Sequence, residues 1–283
     1  MPLQTVTTVA ECRAALEDAR RAGREIALVP TMGALHEGHA ALVRHAREVA
    51  DVVVVSIFVN PLQFCERSDL ERYPRTLEAD QALLEELGAD LLLAPDAQQM
   101  YPDGGSSTTV HAGPLGDELE GASRPGHFDG VLTVVTKLLN ITQPTIVCFG
   151  EKDAQQVFLV RRMVRDLDLP VAVHEVATVR EPDGLARSSR NVFLDEQHRR
   201  AALALSAALT AAAEARPEGV PAMLAAGRAL LASEPGIDVD YLVAVDPGTF
   251  APVEEDYADD VRLLVAARVG PVRLIDTLLA ASS

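Results

Sequence analysis

Ten residues near the N-terminus, Pro30-Thr31-Met32-Gly33-Ala34-Leu35-His36-Glu37-Gly38-His39, gather groups suited to holding an anion. They follow an apolar run, Ile26-Ala27-Leu28-Val29, that reads as a buried strand, and they lead into an amphipathic segment that reads as a helix. A helix start leaves backbone N–H groups unpaired and carries partial positive charge. Two imidazoles three residues apart share one side of the first turn and add donors to those amides. The chemistry this favours is the recognition of nucleotide phosphates. It is not the zinc motif HExxH, because position 40 is Ala and the histidines lie only three apart.

Three further clusters carry polar chemistry. Val59-Asn60-Pro61-Leu62-Gln63-Phe64 lies just past the carboxyl end of a predicted buried strand, the edge at which open α/β sheets bind ligands. Asn60 and Gln63 offer neutral donors and acceptors suited to hydroxyls and carboxylates. Phe149-Gly150-Glu151-Lys152-Asp153-Ala154-Gln155-Gln156 is a second strand end running into a helix. There Lys152 could meet a phosphate as a compact charge, and Gln156 lies one turn beyond. Arg187-Ser188-Ser189-Arg190-Asn191 follows a Pro-Asp-Gly turn and pairs two hydroxyls with a guanidinium, a set suited to polyphosphate. Taken singly, these three also read as a polar strand cap, an exposed salt-bridged turn and a polar linker. No P-loop, GxGxxG loop or GxSxG elbow is present, so Ser188 and Ser189 are poor candidates for a covalent nucleophile.

The elements that must position these clusters alternate. Thr8-Val9-Ala10-Glu11 matches a capping box and predicts a helix to Arg21, with Gly23 ending it. Strands are expected over 26–29, 52–59, 90–95 and 145–149, and helices over 38–50, 80–87, 131–141 and 153–167. This order predicts an α/β fold, a doubly wound parallel sheet with helices on both faces. Beyond about residue 178 the texture changes to Ala- and Leu-rich helices near 196–214 and 220–232, followed by strands near 239–245, 262–267 and 271–275. A first domain over 1–177 and a smaller C-terminal α+β domain over 178–283 are expected, with 178–187 as the hinge.

Composition narrows the function. The 283 residues carry 25 basic and 42 acidic side chains, a formal charge of −17, which disfavours nucleic acid as a partner. Only Lys137 and Lys152 are lysines; nearly every other cation is arginine. No apolar stretch reaches membrane-spanning length and no signal peptide is evident. Three cysteines, Cys12, Cys65 and Cys148, lack metal-like spacing, so a reduced, cytoplasmic protein is expected. His45, His111, His174 and His198 show no partner pattern and read as structural or exposed.

Together the blocks PTMGALHEGH, SIFVNPLQF, RYPRT, GVLTVVTKLLN, FGEKDAQQ and RSSRN resemble, in order and over most of the chain, the pantoate–β-alanine ligase family. The HxGH signal alone resembles the wider superfamily of nucleotidylyltransferases and class I aminoacyl-tRNA synthetases. The resemblance implies a Rossmann-like N-terminal domain, a C-terminal lid domain and a homodimer. It implies a two-step reaction: ATP and pantoate give pantoyl adenylate and pyrophosphate, and the amine of β-alanine then displaces AMP. Met32 through His39 (Met32, Gly33, Ala34, Leu35, His36, Glu37, Gly38 and His39) resemble the ATP-binding block, with His39 catalytic and His36 its phosphate-binding companion. Gln63 and Gln156 resemble the residues that grip pantoate, with Asn60 nearby. Gly150, Glu151, Lys152 and Asp153 resemble ribose and phosphate contacts. Val179 resembles a backbone contact to adenine, and Arg187, Ser188, Ser189 and Arg190 a phosphate clamp. Lys152, Ser188, Ser189 and Arg190 are thereby expected to act with the histidines in catalysis. Asp80 falls where the family can place a Mg2+ contact, and Mg2+ is expected with ATP in any case.

Four positions depart from the family pattern. Arg187 replaces Met beside the serines, Ala154 replaces an aromatic, Cys65 replaces Gly after the Gln-Phe pair, and Thr277 follows Asp276 where Asn is commoner. Two other functions remain to be weighed. A nucleotidylyltransferase would pass AMP to a phosphate acceptor, for which the neutral amides of Gln63 and Gln156 are ill suited. A nucleotide-binding regulator would not need His36, His39, Lys152 and Arg190 together.

Overall fold

Val52-Val53-Val54-Val55 cannot leave either face to water, and the computed structural model, which describes residues 2–65 and 67–282, covers both. The elements run β1 (Gln4–Val6), α1 (Val9–Arg21), β2 (Ile26–Thr31), α2 (Glu37–Val49), β3 (Val52–Ile57), α3 (Arg67–Arg72), α4 (Leu77–Glu86), β4 (Leu91–Leu93) and α5 (Ala97–Met100). They continue with α6 (Glu120–Ser123), α7 (His127–Thr142), β5 (Ile146–Gly150), α8 (Ala154–Asp166), β6 (Ala172–Val176), α9 (Glu196–Glu214), α10 (Val220–Ser233), β7 (Ile237–Val245), β8 (Val261–Val269) and β9 (Val272–Ala280). Two units divide the chain: Met1–Gly150 with Gln155–Val176, and Glu151–Ala154 with Ala177–Ser283.

The first unit is a parallel sheet in the order β1-β4-β3-β2-β5-β6. Successive residues of the central strands feed opposite cores. Ile26, Leu28, Val52 and Val54 pack with residues of α1, α7 and α8, including Leu16, Val135 and Val160. Ala27, Val29, Val53 and Val55 pack with Leu42, Val43 and Ala46 of α2 and Leu84 of α4. The chain leaves β2 for β3 on one side, whereas β5 and β6 fill the other. The β2–β5 junction is therefore the topological switch point, and ligands bind outside the carboxyl ends of such strands.

The second unit is an antiparallel β7-β8-β9 sheet whose apolar face is covered by α9 and α10. Small residues on one stripe of α9, among them Ala201, Ala208 and Ala212, are buried there.

The expected α/β parallel sheet and small antiparallel sheet are both present. Two strands were not expected, β1 and β6, and they are the two sheet edges. Half-covered or exposed, they lack the continuous apolar run that marks the inner strands. Helix α7 begins four residues earlier than its apolar run, behind Gly126 in a left-handed conformation. The 178–187 segment, expected as a hinge, lies within the second unit, closed by a bridge between Arg180 and Ala186.

Candidate active site

Strand β2 ends in a turn built to present backbone amides. The Thr31 hydroxyl donates to the Ser56 carbonyl (2.8 Å) and accepts from the Gly33 amide (3.2 Å). Gly33 (φ 83°) and Ala34 (φ 50°) both adopt left-handed backbone. For alanine this costs about 1–2 kcal/mol. A Cβ at Gly33 would also sit 3.1 Å from both Asp80 Oδ2 and Ile57 Cγ2, so only glycine fits without strain. The turn is held by Asp80 on α4, which is 3% exposed. Its Oδ2 accepts from the Ala34 amide (3.0 Å), its Oδ1 from the Leu35 amide (2.8 Å), and the Thr76 hydroxyl lies 3.2 Å from each oxygen.

His36 and His39 cap α2 reciprocally. His36 Nδ1 accepts from the Gly38 amide (3.1 Å), and His39 Nδ1 accepts from the His36 amide (3.2 Å). A ring nitrogen that accepts carries no proton, so each neutral imidazole bears its proton on Nε2. The tautomers are thus set by backbone donors, whose polarity is not open to choice. The ring centroids lie 4.1 Å apart. The α2 amides and these two rings thus stand together at the helix start, the arrangement the sequence offered as an anion site. The Glu37 carboxylate pairs with Arg44 (2.5 Å), so within this block the part of Glu37 suited to an anion is its amide.

The Asn60-Pro61-Leu62-Gln63 turn rests on α7. A Cβ at Gly130 would fall 2.3 Å from the Leu62 carbonyl oxygen, so the absence of a side chain lets helix backbone meet turn backbone. Asn60 is 1% exposed, and its carboxamide makes four hydrogen bonds within the protein. Its Nδ2 donates to Gln63 Oε1 (3.0 Å) and the Gly130 carbonyl (3.1 Å); its Oδ1 accepts from the Leu62 amide (3.3 Å) and the Tyr101 hydroxyl (2.8 Å). Asn60, expected near substrate, has every donor and acceptor used within the protein and holds Gln63. Gln63 Nε2 lies 3.1 Å from Met32 Sδ, and the Gln63 carbonyl lies 2.8 Å from His127 Nδ1. Arg124 Nη1 lies 3.1 Å from His127 Nε2; the guanidinium can only donate, so His127 Nδ1 carries the proton toward Gln63.

The Gly150–Asp153 block divides its labour. Glu151 Oε1 accepts from Arg262 Nη1 (2.5 Å) on β8, and its Oε2 from the Thr178 amide (3.3 Å). Glu151, expected among the nucleotide contacts, thereby anchors the turn. The ion pair of this turn is made by Glu151, and Lys152 makes none among the described residues. Gln155 is buried and bonds the Glu120 amide and the Leu115 and Glu118 carbonyls. Gln156, half-buried, is left as the amide able to face a ligand.

Ser188 caps a short 3-10 turn over Ser189–Phe193, its Oγ accepting from the Arg190 amide (3.2 Å). Arg190 is exposed. The Val179 carbonyl accepts from the Arg187 amide (2.9 Å). Arg180 grips Asp276 in a bidentate pair (2.6 and 3.0 Å) and so fixes the strand-like start of this loop to β9. Arg187 Nε is buried without a partner among the described residues. Of the other departures, Cys65 has no positive φ, so the backbone there does not require the glycine it replaces. Ala154 is buried, and Thr277 is satisfied through Asp276 Oδ1 and the Leu263 carbonyl.

Among the described residues no group of three or more His, Cys, Asp or Glu side chains could hold a metal ion. Asp80, expected as a magnesium contact, has both oxygens engaged by N–H and O–H donors, and a cation there would face those same protons. The donor set does not fit a resident ion. His45 Nε2 and His174 Nδ1 lie 2.9 Å apart, His198 pairs with Asp195 and His111 with Asp129, all outside these clusters. No helix among the described residues is long and apolar enough to cross a membrane.

The sequence pattern did not point to Tyr101, His127, Arg124, Arg180 or Arg262. Tyr101, His127 and Arg262 bond candidate residues directly, Arg124 stands behind His127, and Arg180 fastens the loop to Asp276; none belongs to a cluster of its own.

Comparison with known proteins bears on these residues as a set. The family model for pantoate-beta-alanine ligase matches residues 4–279. A pantothenate synthetase of Leifsonia xyli is 56% identical over 281 residues, covering 96% of this chain and 98% of the relative. A crystal structure of pantothenate synthetase from Thermus thermophilus superimposes with a TM-score of 0.91 at 50% identity, covering 97% of this chain and 98% of that one. The Francisella tularensis pantoate-beta-alanine ligase, complexed with beta-gamma ATP and beta-alanine, gives a TM-score of 0.80 at 33% identity, with 98% of each chain covered.

Proposed function

Because the chain belongs to the pantoate–β-alanine ligase family, we propose that its candidate residues divide the work of an ATP-driven amide synthesis among them. The enzyme joins pantoate to β-alanine. A carboxylate is a poor electrophile because its oxygen leaves badly. In the first step a pantoate carboxylate oxygen attacks the α-phosphorus of ATP, the α–β bridging bond breaks, and pyrophosphate departs. In the second the β-alanine amine attacks the pantoyl carbonyl, AMP leaves with the bonding pair, and the amine gives up a proton as the amide forms.

Negative charge accumulates on the α-phosphate oxygens and on pyrophosphate, so donors already aimed at them lower the barrier. His39 and His36 supply Nε2–H donors, with the amides from Met32 to Gly38 behind them. Lys152 and Arg190 supply positive charge, and Ser188 and Ser189 supply hydroxyl donors. Gln63 and Gln156 hold pantoate by its hydroxyl and carboxylate oxygens, which places the attacking oxygen; positioning of this kind carries much of such a reaction. Gly150, Asp153 and Val179 serve the ribose and adenine. No protein nucleophile is required. ATP enters as its magnesium complex, the ion travelling with the substrate phosphates.

The observation that carries this reading is the reciprocal capping of His36 and His39, which sets two Nε2–H donors at a helix N-terminus on the β2 side of the switch point. Pyrophosphate exchange into ATP tests it. Exchange that requires pantoate and proceeds without β-alanine is expected, and Lys152→Ala should slow single-turnover adenylation severely with the fold intact. Exchange supported by a phosphorylated acceptor instead would transfer the chain to the nucleotidylyltransferase reading.

The same reading makes the protein a cytoplasmic homodimer. Sedimentation should return twice the chain mass.

A further inference from the structure

We propose that Tyr101 is a positioning residue for this reaction: acting through Asn60, its hydroxyl holds the Gln63 carboxamide with its nitrogen turned toward pantoate. The inference deepens the reading above and rests on it, since it takes Gln63 as a pantoate contact.

The polarity of the chain follows from groups that have no choice. The Leu62 amide can only donate, so the Asn60 atom facing it is oxygen. The Gly130 carbonyl can only accept, so the Asn60 atom facing it is nitrogen. That nitrogen also meets Gln63, which must therefore offer Oε1. Gln63 Nε2 is thereby turned the other way, toward Met32 Sδ, a weak acceptor that competes little for its protons. A substrate oxygen needs a donor, and this orientation provides one.

Tyr101 is the strong bond in this arrangement. Its hydroxyl reaches Asn60 Oδ1 at 2.8 Å, against 3.3 Å for the Leu62 amide. It is 4% exposed, and its ring packs on Phe58 at 6.0 Å between centroids, with Lys137 Nζ 5.5 Å from the ring centre. Burial pushes the phenol up to about 12, so the hydroxyl stays a donor across the working pH range. Without it, buried Asn60 Oδ1 keeps only its long bond to the Leu62 amide, so the Asn60 carboxamide, and the Gln63 carboxamide bonded to it, are held less firmly in the orientation that Leu62 and Gly130 select.

Two isosteric changes test this. Tyr101→Phe keeps the ring and its packing but deletes the donor. Asn60→Asp keeps the shape but places an acceptor where Nδ2 stood, so Gln63 turns its nitrogen inward and presents oxygen to pantoate. Steady-state kinetics should show the pantoate KM raised about tenfold in Tyr101→Phe and further in Asn60→Asp, with the KM for ATP unchanged. A packing role would leave Tyr101→Phe like the parent enzyme. Should Asn60→Asp fail to fold, Tyr101→Phe decides alone. A pantoate KM that stays at the parent value in Tyr101→Phe, or one that rises together with the ATP KM, overturns the inference. Gln63→Ala separates the two layers. If it raises the pantoate KM while Tyr101→Phe does not, only the positioning role falls. If it leaves the pantoate KM unchanged, the assignment of Gln63 falls and the inference with it.

Discussion

The Asp80 carboxylate accepts from the Ala34 and Leu35 amides at once, at 3.0 and 2.8 Å, and so grips the two peptide groups that lead into His36. One carboxylate thus holds a left-handed alanine and the entrance to α2. Asp80→Asn offers one acceptor where two are needed and turns an NH2 toward an amide proton. A loss of about 1–3 kcal/mol in unfolding free energy is expected, the cost of leaving a buried donor unmet. Catalysis should fall with it, the ATP kcat/KM dropping about tenfold or more as the turn loosens. Chemical denaturation and initial-rate kinetics on the same variant check both. An enzyme of parental stability would show that the turn holds itself.

Arg262 and Glu151 form a partly buried pair at 2.5 Å, immediately before Lys152. Arg262→Ala strands the Glu151 carboxylate, which should cost about 3 kcal/mol and unfasten the turn that carries Lys152. Adenylation measured by pyrophosphate exchange should slow well beyond any change in β-alanine KM. Arg262→Lys, which keeps the charge but not the fork, should restore part of the rate.

Arg187 carries a buried Nε with no partner among the described residues. In a phosphate clamp such a donor is useful when ligand is bound and costly when it is not. Arg187→Met keeps much of the stem and removes the unmet donor. The melting temperature of the free enzyme should rise, and the ATP KM should rise as well. Thermal melts with and without ATP, paired with ATP titrations of the rate, read both signs.

The three thiols should separate cleanly by reactivity. Burial pushes Cys148 up to about 12 and Cys12 up to about 11, so both remain protonated at about pH 8 and are shielded besides. Cys65 is exposed. A disulfide reagent at that pH should therefore modify one thiol per native chain, and Cys65→Ser should abolish that labelling.

The inner strands were legible because Ile26–Val29 and Val52–Val55 are apolar on both faces, a pattern that only a covered parallel strand satisfies. The edge strands β1 and β6 were not, because an edge residue answers to one neighbour and to solvent. Among the site residues, His36, His39, Lys152 and Arg190 were readable as charges or donors at strand and helix ends. Asp80 was found by its chemistry but given the wrong neighbours. A carboxylate reads as a metal ligand until the amides of Ala34 and Leu35 are seen beside it. Tyr101 and His127 lie 38 and 64 residues beyond Gln63 in sequence, and no local pattern announces a contact that distant.

Where Gly130 lets α7 touch the Leu62 carbonyl, main chain abuts main chain with no rotamer in between. A stop of that kind does not adapt. Side chains around it can drift over generations, but the level at which Gln63, the proposed grip on the acid, stands is inherited from the helix itself. Selectivity for the size of the acid should therefore prove stubborn under directed evolution, yielding only to variants that relocate α7.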